Sequence, residues 1–200
     1  HEAMTRTPDS YIQTTMGIQE LLQTSIRVMT NTVVTKRNLH CLEETVMSLH
    51  QLGVRRSCLS FVQKIGNAKR YADRLIPSWK EAIPAIEKAV YAGRELGMVM
   101  GVGGLPPCVM PGIPEAFGVD DLTYIFNAEN TDQIRSRSPY GKEKACLDCG
   151  ERVVCLGVQE ETLHQDDLDL LRPTRGSLKS RRHLSELGYS MFPDLFEGSE

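Results

Sequence analysis

The stretch Arg27-Val-Met-Thr-Asn-Thr-Val-Val-Thr35 decides the fold of this chain, because it is rich in β-branched residues and is typical of a strand. The polar sequence Lys36-Arg37-Asn38 follows it at once, and a helical pattern then runs from Leu39 to Leu52 and stops at Gly53. A strand that leads directly into an amphipathic helix begins a βαβ unit. We therefore predict an inner strand of a parallel sheet whose polar end carries function.

The same pattern continues on both sides of this strand. Apolar spacing predicts a helix from Tyr11 to Gln23 before it and a second strand from Ser57 to Val62 after it. A third helix is predicted from Trp79 to Leu96, and a third strand from Met98 to Val102. The resulting α-β-α-β-α-β order is typical of parallel strands joined by right-handed crossovers.

The carboxyl ends of the predicted strands should meet at one edge of the sheet. In α/β proteins this edge is where the chemistry gathers. The three ends are residues 35–38, 63–68 and 103–108. The last of them delivers a cysteine, so the edge is the expected place for a site.

Two of these strand ends allow a functional and a purely structural interpretation. Asn38 is predicted to cap the helix that follows it, with Lys36 or Arg37 as the alternative contact to an anionic ligand. The glycines within residues 101–104 favour a tight strand exit over a phosphate-binding loop. The reason is that Pro106-Pro107 stands where a helix would have to begin in order to hold a phosphate.

Four of the six cysteines form the pattern C-x37-C-x2-C-x5-C. They are Cys108, Cys146, Cys149 and Cys155. A C-x2-C pair lets one tight turn present two thiolates to the same ion, and the two prolines hold Cys108 on stiff, extended backbone. Four thiolates suit tetrahedral zinc or a [4Fe-4S] cluster, and the spacing alone does not choose between them.

The other two cysteines, Cys41 and Cys58, have apolar neighbours and are predicted to be buried bystander thiols. Six cysteines in 200 residues are too few for a disulfide scaffold, so their clustering favours a metal or cluster site in a reducing compartment. We therefore expect a cytoplasmic protein.

Composition and charge limit the classes of partner. The chain has a net charge of −3 and a pI of about 6.0, so no overall positive field recruits nucleic acid or an anionic membrane. No apolar run approaches the roughly 18 residues of a membrane span, and no signal peptide is recognised. Because His1 opens a stretch that reads like the middle of a domain, we expect the chain to be a fragment or a processed product.

The strand and cysteine motifs together resemble radical SAM enzymes over about residues 1–163. Residues Thr30 to Asn38 resemble the fifth barrel strand of that family, and His1 to Leu22 resembles the segment before it. Residues Ser60 to Ala68 resemble the sixth strand and its loop. The Pro-Pro-Cys108 and C-x2-C-x5-C group resembles the auxiliary-cluster extensions of the SPASM or twitch kind.

The resemblance implies an α/β fold: the C-terminal half of a partial (β/α)6 barrel followed by a small cysteine-rich subdomain. It places the barrel half in residues 1–105 and the auxiliary cluster subdomain in residues 106–163. Residues 164–200 are expected to form a mobile tail. The family's C-x3-C-x2-C motif and its glycine- and glutamate-bearing stretch are absent from the chain, and we expect them upstream of His1.

The resemblance also implies a function for the complete protein. It would cleave S-adenosylmethionine (SAM) reductively to a 5′-deoxyadenosyl radical, with SAM held by a second [4Fe-4S] cluster on the upstream sequence. This chain alone is expected to be inactive. The residues implied to line the SAM or substrate cavity are Asn31, Val33, Thr35, Ser60, Val62 and Ile65, the last near the adenine.

The four patterned cysteines would hold an auxiliary [4Fe-4S] cluster for electron transfer. If one of them is not a ligand, substrate binding at an open iron becomes the better interpretation. The implied partners are a small-molecule or peptide substrate and an electron donor such as flavodoxin or ferredoxin, with no nucleic acid and no membrane. The alternative hypothesis is a binding module stapled by zinc on the four cysteines, on an α/β scaffold without redox activity.

Overall fold

A computed structural model describes residues 1–113, 116–117, 140–141, 143–150, 155, 157–159, 162–164 and 166–173 of this protein. Its first part alternates helices and strands as the sequence predicts. The elements up to the third strand are α1 (Glu2–Thr5), α2 (Ser10–Leu22), β1 (Thr30–Val34), α3 (Leu42–Gln51), β2 (Arg56–Phe61), α4 (Gly66–Arg70), α5 (Ala72–Leu75), α6 (Trp79–Glu95) and β3 (Val99–Gly103).

The three long strands form a parallel sheet in the order β1-β2-β3. In its register Thr30 lies opposite Ser57, and Ser57 lies opposite Met100. The parallel α/β arrangement is therefore confirmed. The prediction of an inner position for the first strand is wrong among the described strands, because β1 pairs with β2 alone.

Helices α3 and α6 pack together and against one face of this sheet. The close approach needs a small residue: a Cβ on Gly93 of α6 would lie 2.7 Å from Cγ of Met100 on β3. The buried side chains that fill this layer include Val34, Val46, Leu59, Phe61, Ile86, Val90 and Val102. An ion pair between Lys88 and Glu43 joins the two helices at the surface.

The opposite face of the sheet carries smaller and more polar residues. Because the side chains of a strand alternate, Asn31 and Val33 point away from the face that holds Met100. Asn31 is exposed, and Val33 keeps 49% of its surface accessible. Among the described residues this face is open on its β1 side, at Asn31 and Val33, and covered at Cys58 of β2, which is only 6% exposed; it is called the open face below.

The longest helix, α6, begins with a capping box. The Ser78 hydroxyl accepts the Glu81 backbone N–H, and a Glu81 carboxylate oxygen accepts the Ser78 backbone N–H at 2.9 Å. Pro84 lies inside α6, near its start. Within the described residues, no helix is long and apolar enough to cross a bilayer.

Beyond β3 the described elements are short. They are a 3₁₀ turn at Pro107–Val109, strand β4 (Tyr140–Gly141), a 3₁₀ turn at Lys144–Cys146, strand β5 (Val158–Gln159) and a 3₁₀ turn at Leu168–Leu170. β4 and β5 pair antiparallel. Val158 and Leu171 belong to the main hydrophobic core, so this region packs against the α/β part.

The segment from His164 onward differs from the expected mobile tail in the part that the structure describes. Asp167 is almost fully buried, at 1% exposure, and its carboxylate accepts the Trp79 backbone N–H at the start of α6. Residues 166–173 are therefore tied to the α/β part. Residues 174–200 lie outside the described residues, and the three domain boundaries stay a prediction.

Candidate thiol site at the carboxyl edge of the sheet

Cys108 is delivered to the edge of the sheet by a tight turn after β3. Gly104 has a φ of 78°, and a Cβ there would lie 2.9 Å from the Phe61 carbonyl oxygen. Pro106 is extended, and Pro107 opens the 3₁₀ turn that carries the half-buried Cys108. The predicted tight strand exit is confirmed, because only glycine fits this conformation at this distance.

The C-x2-C pair forms a compact turn of its own. Cys146 ends the 3₁₀ turn Lys144–Cys146, and the backbone N–H of Cys149 donates to the Cys146 carbonyl at 3.3 Å. The sulfur of Cys155 accepts the Gly157 backbone N–H at 3.3 Å. Gly157 has a φ of 103°, which lets its N–H turn back toward that sulfur. Backbone N–H donors of this kind stabilise a thiolate.

The four patterned thiols share one electrostatic environment. Burial is the main effect that raises the pKa of the Cys108 thiol, and the charges of Cys155, Cys149 and Cys146 raise it further. A hydrogen bond from the Arg172 backbone N–H acts in the opposite direction and lowers that pKa. Cys108 therefore lies within electrostatic range of the other three thiols, although Cys146 is far from Cys108 in sequence.

These thiols are neighbours without forming a finished ligand cage. In the part of the chain that the structure describes, no three His, Cys, Asp or Glu side chains are spaced as a metal ion needs. All six cysteines are described, and none of them forms a disulfide.

Two contacts of the site come from residues that the sequence patterns did not single out. The Arg172 backbone acts to lower the pKa of the Cys108 thiol, and the Arg172 guanidinium donates to the Leu171 carbonyl at 3.0 Å. Asp167 accepts the Trp79 N–H at 2.8 Å and the His164 N–H at 2.9 Å. Asp167 lies in an acidic run that is typical of solvated surface, so no local signal marked it as buried.

The residues implied to contact SAM form one patch on the open face of the sheet. Val33 lies opposite Ser60, and the Ser60 hydroxyl donates to Asn31 Oδ1 at 2.7 Å. Thr35 and Val62 follow at the carboxyl ends of β1 and β2 and are buried. Five of the six implied positions therefore share one face, and Ile65 lies beyond the end of β2 with 63% of its surface exposed.

Asn38 does not cap the following helix through its side chain, so that prediction is wrong. Its Oδ1 accepts the Thr35 backbone N–H at 2.7 Å and the Thr35 hydroxyl at 3.1 Å, and its Nδ2 donates to the Val33 carbonyl at 2.9 Å. The side chain turns back because it replaces the hydrogen bonds that β1 loses where it ends. Lys36 donates from Nζ to the Asp73 carbonyl at 3.0 Å.

The two bystander cysteines lie at the start of α3 and within β2. Cys58 is buried in β2, as predicted, and its sulfur is 3.7 Å from the Ser60 hydroxyl. Cys41 is half-buried and contacts the Asn38 carbonyl at 3.5 Å.

Comparison with known proteins adds nothing to these observations: no family model, no curated protein and no solved structure matches this chain.

Proposed function

We propose that this chain is the C-terminal portion of a radical SAM enzyme and that Cys108, Cys146, Cys149 and Cys155 bind an auxiliary [4Fe-4S] cluster. The observation that supports the proposal is the delivery of Cys108 to the carboxyl edge of the parallel sheet, within electrostatic range of Cys146, Cys149 and Cys155. That edge is where α/β enzymes place their chemistry. Four cysteines match the ligand number of such a cluster, and one of them, Cys155, has a backbone N–H donor on its sulfur.

The open face of the sheet supplies the second part of the proposal. Asn31 and Val33 are accessible there and Ser60 is half-buried, whereas Thr35 and Val62, at the carboxyl ends of the two strands, are buried. We assign SAM or substrate to this face, with Ile65 at its rim. The Ser60 and Asn31 side chains would hold hydroxyl or amino groups of the ligand, while Val33 gives it an apolar contact.

When bound, an iron–sulfur cluster supplies single electrons at low potential. The protein contributes the sulfur ligands, the N–H donors that adjust their charge, and partial burial of Cys108. The partners in this function are a soluble electron donor such as flavodoxin or ferredoxin and a small-molecule or peptide substrate. The chain alone is expected to lack SAM cleavage, because the motif for the SAM-binding cluster is not in its sequence.

Anaerobic reconstitution with iron and sulfide tests the proposal. We expect a brown protein that absorbs near 400 nm, bleaches with dithionite and carries about four irons per chain. A colourless protein that retains one tightly bound zinc would instead support the zinc-stapled binding module.

Single serine substitutions provide the matched control. Cys108→Ser and Cys149→Ser should lose most of the bound iron, whereas Cys41→Ser and Cys58→Ser should keep the wild-type amount. Equal iron in all four variants would mean that the iron is bound elsewhere.

A further inference from the structure

A cluster of positive charges lies beyond the carboxyl ends of β1 and β2. It combines the two cations that follow β1 with the cations of residues 64–74, which include α4 and α5. Its members, here named the basic patch, are Lys36, Arg37, Lys64, Lys69, Arg70 and Arg74. Asp73 is the only carboxylate within residues 64–74, and Glu81 lies near Lys36, so the patch is positive in a chain of net charge −3.

Hydrogen bonds hold the two parts of the basic patch together. The Lys36 backbone N–H donates to the Leu75 carbonyl at 2.9 Å, and Lys36 Nζ donates to the Asp73 carbonyl at 3.0 Å. The Tyr71 backbone N–H, between α4 and α5, donates to the Asn67 carbonyl at 3.0 Å. The cations that follow β1 therefore adjoin those on α4 and α5.

The charges of the basic patch are available to a partner. Arg37, Arg70 and Arg74 are exposed, and Lys64 is half-buried. In the described part of the chain, no carboxylate forms an ion pair with Arg37, Lys64 or Arg74. Neighbouring cations without counter-charges create a positive potential, which attracts a partner that carries negative charge.

An apolar side chain stands among these cations. Ile65 directly follows Lys64 and keeps 63% of its surface exposed. Gly66 comes next, with a φ of 52° and no atom within 4 Å of the position that a Cβ would take. The surface beside Ile65 is therefore open. Protein interfaces typically place apolar contacts inside a polar, charged rim, and this arrangement has both parts.

The basic patch fits an acidic peptide better than a nucleic acid. Proteins that bind single strands stack bases on exposed aromatic rings. Tyr71 is the only aromatic residue within residues 64–74, and it is half-buried with the Arg70 guanidinium 5.6 Å from its ring centre. The overall charge of −3 would also repel the long backbone of a nucleic acid, whereas a short peptide meets only the patch.

We propose that the basic patch and Ile65 form a docking surface for an acidic peptide segment that carries an apolar residue among its Asp and Glu residues. The carboxylates of the peptide pair with the cations, and its apolar side chain covers Ile65. The proposal narrows the substrate of the proposed function to an acidic peptide, and it rests on that function for the role of substrate alone.

The first arm of the test measures binding to the metal-free chain by fluorescence anisotropy. The probe is a short fluorescent peptide with Glu and Asp residues around one central Leu. Combining Arg37→Glu with Arg74→Glu should raise the Kd about tenfold or more, because two attractions become repulsions. The matched control combines Arg27→Glu with Arg55→Glu at exposed positions ahead of β1 and β2, at the opposite edge of the sheet. It should change the Kd by less than about twofold at physiological salt.

The second arm tests the apolar contact. Ile65→Ser should raise the Kd of the Leu-containing peptide about fivefold, because apolar surface is no longer covered. The same substitution should leave unchanged the Kd of a peptide with Ser in place of its Leu. Thermal unfolding shows whether each variant is folded, and the exposure of Ile65 makes a loss of folding unlikely to follow from this change.

The outcomes that would overturn the proposal are specific. They are no binding of the peptide to the wild type at about 1 mM, equal weakening in the two double variants, or equal loss of both peptides in Ile65→Ser. Tighter binding of single-stranded DNA of the same charge would make the patch a nucleic-acid site instead. Because the titration uses the metal-free chain, failure of iron reconstitution and failure of peptide binding are observed separately.

Discussion

The side chain of Asn38 forms hydrogen bonds with residues at the end of β1. We therefore expect it to contribute measurably to the free energy of unfolding. Its amide makes three hydrogen bonds to Thr35 and Val33, in a half-buried position. We expect Asn38→Ala to lower the free energy of unfolding by about 1–3 kcal/mol, because the buried partners are left unpaired. Urea unfolding measures this, and Arg37→Ala at the exposed neighbouring position should change it by less than about 0.5 kcal/mol.

Gly104 tests the tight strand exit that precedes Cys108. Alanine there would combine a φ of 78° with a Cβ 2.9 Å from the Phe61 carbonyl oxygen. Gly97 has a similar φ of 73° but nothing within 4 Å of its Cβ position, so Gly97→Ala measures the backbone strain alone. We expect Gly97→Ala to cost about 1–2 kcal/mol and Gly104→Ala clearly more in thermal unfolding. Equal destabilisation by Gly104→Ala and Gly97→Ala would show that the backbone near Phe61 moves to accept the new methyl group without a further cost in stability.

At the scale of the element, the capping box of α6 gives a pH dependence. The Ser78 backbone N–H is the main effect that lowers the pKa of Glu81, and the Ser78 hydroxyl adds to it. A carboxyl with a lower pKa in the folded state adds stability that is present above its unfolded pKa and is lost as the pH falls through its folded pKa.

Glu81→Gln should therefore destabilise the protein at about pH 7 and have less effect at about pH 3, because the carboxyl becomes protonated as the pH falls through its folded pKa. Urea unfolding of both proteins at the two pH values checks this. Glu95→Gln, at the exposed end of the same helix, is the control and should not reproduce the pH dependence. A penalty that stays equal at both pH values would contradict the role given to the Glu81 charge.

The close packing of α6 on β3 also affects the stability of the protein. Gly93→Ala should destabilise the protein by about 1–3 kcal/mol, since the new methyl group would collide with Met100. Gly17→Ala in α2 meets nothing within 4 Å and should stabilise by about 0.5–1 kcal/mol through helix propensity. The two substitutions add the same group, so opposite signs in thermal unfolding would isolate the packing effect.

The long elements were predictable because their causes are local. Periodicity placed the helix of Trp79 and the strand of Ser57 within a few residues of their observed bounds, since both depend on residue type and spacing. The prediction for Asn38 was wrong because its side chain hydrogen-bonds to the end of β1 and not to the start of the next helix. The three-dimensional arrangement decides between these two sets of partners. Asp167 was missed for the same reason, because its acceptor role depends on Trp79 much earlier in the chain.

At the scale of the whole molecule, two features lie at the carboxyl edge of the parallel sheet. Strand β1 ends there at Val34, beside Asn38, and the tight exit of β3 delivers Cys108 there. The cysteine pattern could be recognised from the sequence, whereas the position of each thiol in the fold depends on tertiary packing that no local pattern reveals. The account predicts that these four thiols act as one ligand set.

The most direct measurement is site-resolved alkylation of all six cysteines before and after anaerobic loading with iron and sulfide. The account predicts that Cys108, Cys146, Cys149 and Cys155 become protected together, with the same dependence on iron, while the rates of Cys41 and Cys58 do not change. Protection of the other three with Cys108 still alkylated as in the metal-free protein would contradict the single ligand set.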